Sequence, residues 1–152
     1  MHYRSARLLA CIVLAVALTG CSRKEGPEGT GEDAATATPP EPTITEVETG
    51  RRVTSAHQVE EPVTSFAPTD TIWASVETRD TPAGTRILAR WVYTEGTDEQ
   101  VIGEETLTTA NAGTGYTSFF VANPEPWPEG DYEVRIGIGS EVKETKTFSV
   151  KG

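Results

Sequence analysis

His57 is the residue best suited to acid–base chemistry in this chain, because the only other histidine, His2, lies at the N-terminus. Imidazole changes charge near neutrality, which suits a general base. A Ser–His–Asp arrangement would also need a nucleophile elbow and an oxyanion loop, and no such pattern surrounds His57, so a surface histidine is expected. The carboxylate pairs Glu60-Glu61, Asp98-Glu99 and Glu104-Glu105 are neighbours in sequence. Consecutive residues on a strand point to opposite faces, so adjacency does not make a catalytic couple, and a solvated acidic surface is expected. A calcium site needs several converging oxygens and a tight glycine turn. Asp98-Glu99 could contribute, but no such motif accompanies it. Gly113-Thr-Gly115 and Gly137-Ile-Gly139 lack the strand-to-helix setting of phosphate loops and are expected to be turn or strand glycines. Trp73 alternates against Ile72, Ala74 and Val76, which places it on an outer face if those three are core. Phe119 and Phe120 are adjacent, so one of them points outward. An outward aromatic row can stack sugars or dock a partner, and Trp73 is the candidate binding surface. Coverage of Trp73 by the segment before Val63 is the competing expectation. No catalytic, cofactor-binding or metal site is expected, and no enzyme.

Composition narrows the classes further. The 152 residues carry 13 Lys+Arg and 23 Asp+Glu, a formal net charge of −10. Nucleic-acid binders need a basic footprint to neutralise phosphates, and charge-driven adsorption to anionic lipid needs the same. Both are excluded as expectations. Two cysteines, Cys11 and Cys21, are too few for a disulfide-dense scaffold.

The N-terminal segment reads as an address. Arg4 and Arg7 precede an uninterrupted apolar run from Leu8 to Leu18. Such a run is too short for an ordinary membrane span of about 20 residues and fits a secretory signal peptide. Its end, Leu18-Thr19-Gly20-Cys21, resembles the lipobox of bacterial lipoproteins. The resemblance implies cleavage between Gly20 and Cys21 and lipidation of Cys21, a diacylglyceryl group on sulfur and an acyl chain such as palmitate on the new amine. Cys11 would leave with the signal, so no free thiol would remain. Ser22, where Asp would favour inner-membrane retention, implies the outer membrane, facing the periplasm.

From Ser22 to Pro42 there is no Val, Ile, Leu or aromatic residue. A Gly/Pro/Thr/Glu-rich segment of this kind cannot bury enough apolar surface to fold. A flexible, disordered tether over 21–43 is expected, reaching at most about 60–70 Å at roughly 3.3 Å per residue. From Ile44 the composition changes to short runs of Val, Ile, Thr and aromatics separated by turn residues, with no helical period. The alternation predicts strands over 44–49, 63–66, 71–78, 86–94, 100–108, 116–121, 132–138 and 142–150. Turns are expected at 80–85, 95–98 and 111–115, with a Pro-rich corner at 123–130.

Seven or eight antiparallel strands over 44–152 require two packed sheets. Trp127-Pro-Glu-Gly-Asp-Tyr-Glu-Val134 resembles the start of the penultimate strand in bacterial immunoglobulin-like and fibronectin-III-like modules. That resemblance implies an all-β, immunoglobulin-like sandwich. It implies that Gly130 makes the corner, that the Tyr132 hydroxyl ties back to the backbone and that Trp91 packs in the core. The expected protein is a lipid-anchored bacterial cell-envelope protein, monomeric, whose one domain is a non-catalytic binding or structural module. Its partners would be the membrane, through Cys21, and an envelope protein or glycan. The alternative is a carbohydrate- or peptidoglycan-binding module using outward-facing aromatics.

Overall fold

The computed structural model describes residues 40–94 and 99–152. Gly20 and Cys21, most of the tether and Asp98 lie outside the described residues. No helix occurs among the described residues. Eight strands form: β1 (Thr43–Gly50), β2 (Ser65–Phe66), β3 (Ile72–Thr81), β4 (Arg86–Tyr93), β5 (Gln100–Thr108), β6 (Gly113–Val121), β7 (Gly130–Ile138) and β8 (Glu141–Val150). They make a three-stranded sheet, order β1-β3-β6, and a five-stranded sheet, order β2-β8-β7-β4-β5. All pairings are antiparallel except β2 with β8. Two face-packed sheets, as the alternation predicts, in this strand order are an immunoglobulin-like sandwich, as the resemblance implies.

The alternating residues meet between the sheets. Ile72, Ala74 and Val76 of the small sheet, and Ile87, Ala89, Trp91, Val134 and Ile136 of the large one, are buried. Burying each of the larger apolar side chains contributes roughly 1.5–3 kcal/mol relative to exposure. One end of the core is aromatic. Tyr132 stacks on Phe148 at 5.4 Å between centroids, and Phe148 receives the edges of Phe66 and Trp91 at 5.5 and 6.0 Å.

The Pro-rich corner behaves as the resemblance implies. Gly130 has φ 145°, a region that side chains with a Cβ rarely adopt. Two residues later the Tyr132 hydroxyl donates to the Pro128 carbonyl at 2.6 Å. Trp127 closes the same end: its indole N–H donates to the Asp70 carbonyl at 3.0 Å and its backbone N–H to the Pro68 carbonyl at 2.7 Å.

Two local expectations are corrected. Residues 113–115 belong to strand β6 rather than to a turn; Gly115 pairs with Thr78 and Gly113 with Thr81, and the chain turns before Gly113. Strand β3 runs on to Thr81, so the turn begins at Pro82, where the ring removes the N–H that a ladder needs.

Candidate functional site

The register of the small sheet decides what its outer face presents. Trp73 lies between Gly50 on β1 and Phe120 on β6, Ser75 between Glu48 and Ser118, and Glu77 between Glu46 and Tyr116. Residues directly opposite in an antiparallel pair are close enough to touch. The Trp73 and Phe120 rings do so, with centroids 4.9 Å apart and planes inclined at 32°. Trp73 is half-buried. Phe120 is 51% exposed while its neighbour Phe119 is fully buried. The outward aromatic feature is therefore a two-ring ledge, with Phe120 as its open member.

A small hairpin lies over the middle of that face, at Ser75 and Ser118. Val53 and Val59 bridge, and a turn from Thr54 to His57 closes it through a His57 N–H to Thr54 carbonyl bond of 3.0 Å. His57 occupies the left-handed position of this turn, φ 64°, where glycine is usual though histidine is tolerated better than most residues. The hairpin is tied down at the same residue. The Ser75 hydroxyl donates to the His57 carbonyl at 2.8 Å, and His57 Nδ1 and the Ser118 hydroxyl share a hydrogen bond of 2.9 Å. Val59 is buried against Gly50, where a Cβ would meet Val59 Cγ1 at 2.5 Å.

His57 thus sits on the surface, as its polar context predicts, but with a serine partner that sequence reasoning missed. The pair borders a cleft of about 520 Å³ lined by Thr78, Leu107 and residues of the β5–β6 connection. Hydrogen bonds from His57 run to Ser118 and to the hairpin, and none described joins it to a carboxylate. The third member of a triad, which would orient the imidazole, is not assembled.

A second recess opens between the edge strands β5 and β6. It measures about 320 Å³, and its walls include Trp91, Gly103, Glu105, Phe120 and Val121. Gly103 lies opposite Trp91, next to a bulge at Ile102. A Cβ there would lie 3.5 Å from Trp91 Cδ1. Of the buried side-chain N and O atoms among the described residues, Trp91 Nε1 is the one without a hydrogen-bond partner. By contrast, the buried Thr49, Ser75, Thr78 and Thr81 hydroxyls all have partners. Buried polar groups are almost always paired, so the exception calls for a physical account.

The acidic pairs are split by geometry. Glu60 meets Arg52 at 3.2 Å, Glu104 meets Arg90 at 2.6 Å, and Glu99 meets Arg135 at 2.6 Å. The Arg135 hydrogen bond holds the Glu99 carboxyl below its ordinary range. Asp70, in the turn after β2, accepts from the Ala67 N–H at 2.8 Å and from Arg51 at 2.7 Å. Burial pushes its carboxyl up, but these two donors outweigh it and the pKa is lowered. Among the described residues, no group of three or more His, Cys, Asp or Glu could hold a metal ion.

No protein-family model and no curated protein matches this sequence. Among solved structures, a β-glucosidase from Erythrobacter marinus is similar with a TM-score of 0.51 and 8% identity, over 73% of this chain and 15% of that one. A β-glucosidase from Listeria innocua gives 0.46 and 11%, over 74% and 16%. An immunoglobulin-like protein (PA1606) from Pseudomonas aeruginosa gives 0.44 and 16%, over 74% and 98%. This chain therefore spans about one sixth of the β-glucosidases it matches. At such identities the likeness speaks of fold alone; the strand order of the two sheets and the tyrosine-bonded corner are what describe an immunoglobulin-like β-sandwich.

Proposed function

We propose that this protein is a lipid-anchored component of the bacterial cell envelope whose sandwich domain is a non-catalytic binding module. The sequence Leu18-Thr19-Gly20-Cys21 supports the anchor. Two or three acyl chains hold a protein stably on a bilayer, whereas one is marginal. Anchoring also raises the local concentration of a weak binding domain at one surface. The anchor is tested by metabolic labelling with a palmitate analogue: Cys21→Ala should abolish labelling and release the protein from membranes. Persistent labelling overturns the assignment.

The observation that carries the binding reading is the open Phe120 ring packed on Trp73. Exposed aromatics on a rigid sheet are costly to leave bare and efficient to cover. This pair favours a glycan partner, since the apolar face of a pyranose stacks on such a ledge. Peptidoglycan is the glycan polymer that an envelope anchor would bring within reach. Co-sedimentation with purified sacculi tests it: the wild type should pellet, and Trp73→Ala and Phe120→Ala should remain in the supernatant. Equal pelleting of all three overturns the glycan reading.

A further inference from the structure

Strand β8 has a neighbour on one side only for most of its length. β7 pairs with it from Glu141 to Val150, whereas β2 meets its other edge only at Ser149 and Val150. Ser149 and Lys151 donate there to the Thr64 and Phe66 carbonyls. Alternation turns the N–H and C=O of Thr147 and Thr145 toward the same edge, where no strand pairs with them among the described residues. A bulge then shifts the alternation. Glu144 lies opposite Ile136 and Val142 opposite Gly137, which leaves Lys143 as the extra residue. Val142 therefore presents its N–H and C=O to the free edge as Thr145 does, and both side chains lie on the outer face of the sheet. Glu141 and Lys146, opposite Ile138 and Val134, lie on the inner face. Every residue from Glu141 to Thr145 is exposed, Val142 to 44%.

Free strand edges are commonly blunted by charges and bulges. Here both devices match their own two-fold image. We propose that the free edge of β8 pairs with the same edge of a second copy of this chain, antiparallel, about a two-fold axis between Lys143 and Glu144. Such a dimer would replace the monomeric state expected from the sequence. Val142 then lies opposite the partner's Thr145, and the two exchange backbone hydrogen bonds on each side of the axis. Glu141 lies opposite the partner's Lys146 and Lys143 opposite the partner's Glu144, so every charge pair is of opposite sign. Glu144 and Lys146 have no other ion-pair partner among the described residues, and Lys143 holds only the exposed Glu141. The ends also fit. Past Thr147 the partner's chain turns back through Gly139, φ 65°, and Ser140, before it reaches β2. An unrelated strand would have to reproduce this order of charges, whereas a second copy carries it. The axis crosses the sheet, so both copies turn their small sheets, and with them two Trp73–Phe120 ledges, to the same side. Paired sites of that kind gain avidity on a repeating surface. The pairing itself does not depend on what the ledge binds.

The test uses the full chain in density-matched detergent, with sedimentation equilibrium and amide hydrogen exchange over a concentration series. The wild type should show a monomer–dimer equilibrium, and the Val142 and Thr145 amides should exchange more slowly as the dimer fills. Glu141→Lys and Lys146→Glu each set like charges opposite one another twice, and each should weaken the dimer by roughly tenfold. Both positions are at an open edge, so the fold should persist. The double variant Glu141→Lys/Lys146→Glu exchanges the two charges and should restore the wild-type dimer. That recovery separates a pairing role from a general effect of charge. A chain that stays monomeric up to millimolar concentration overturns the proposal. So does a dimer that is indifferent to both reversals, or one in which the Val142 and Thr145 amides stay fast.

Discussion

The Tyr132 hydroxyl donates to the carbonyl of Pro128, four residues upstream, at 2.6 Å. The bond spans the corner where the chain turns into β7, and the same ring stacks on Phe148 in the core. Tyr132→Phe keeps the stacking and deletes the bond. A part-buried carbonyl left without its donor costs about 1–2 kcal/mol. Urea unfolding should show a lower midpoint at an unchanged slope. An unchanged midpoint would mean that the corner is held by Gly130 and Trp127 without it.

Phe119 and Phe120 are consecutive, yet the pleat of β6 sends one into the core and the other to the ledge. Phe119→Ala should cost about 3–5 kcal/mol as a core truncation. Phe120→Ala should stay within about 1 kcal/mol, its effect confined to binding. Thermal unfolding of the two variants side by side checks the asymmetry. Comparable losses would argue that the ledge, too, is structural.

Gly50 gives up its side-chain space to Val59 and to the Glu61 carbonyl, which a Cβ would approach to 2.5 and 2.8 Å. Gly50→Ala must lift the hairpin that carries His57. Overpacking of this kind costs about 1–3 kcal/mol. Amide exchange should quicken at residues 53–59 more than in β7 or β4. Uniform acceleration across the domain would show instead that the hairpin and the core open together.

The lowered pKa of Asp70 makes part of the domain's stability acid-sensitive. An aspartate held below its ordinary 3.8 in the native state contributes stability that is fully present above that value. The contribution disappears as pH falls through the native pKa, because the proton then binds the folded and unfolded chains alike. The difference in melting temperature between wild type and Asp70→Asn should be largest above about pH 5 and should close under acid. A pH-independent difference would assign the effect to packing around Arg51 and Phe66.

Alternation made most of the sandwich readable in advance. Ile72, Ala74 and Val76, and likewise Val134 and Ile136, repeat with the period of a half-buried strand and are buried together. The Trp127–Tyr132 corner was readable because its residue types are bound to one local geometry. The two recesses were not. Ser118 reaches His57 across 61 positions, and no local pattern announces a partner so distant. The hairpin that brings them together turns on a histidine where glycine would have signalled it. Gly103 meets Trp91 only through the β4–β5 register and its bulge, which depend on loop geometry and not on residue type. The glycines of β6 looked like a turn because glycine is usual in turns; here they lie in an edge strand.

The parallel pairing of β2 with β8 gives the domain a direction-dependent response to force. Thr64 and Phe66 accept from Ser149 and Lys151 at 2.9 and 3.0 Å, joining a segment near the start of the fold to its last strand. Tension between the two ends of the domain pulls these strands along their lengths in opposite directions, so both bonds are sheared together. The β1–β3 ladder is loaded lengthwise as well, because Thr43 pairs with Arg79 at the end of β3 remote from Val150. Both terminal strands should therefore resist end-to-end tension in shear, so that the domain yields in one high-force step rather than by stepwise peeling from either end.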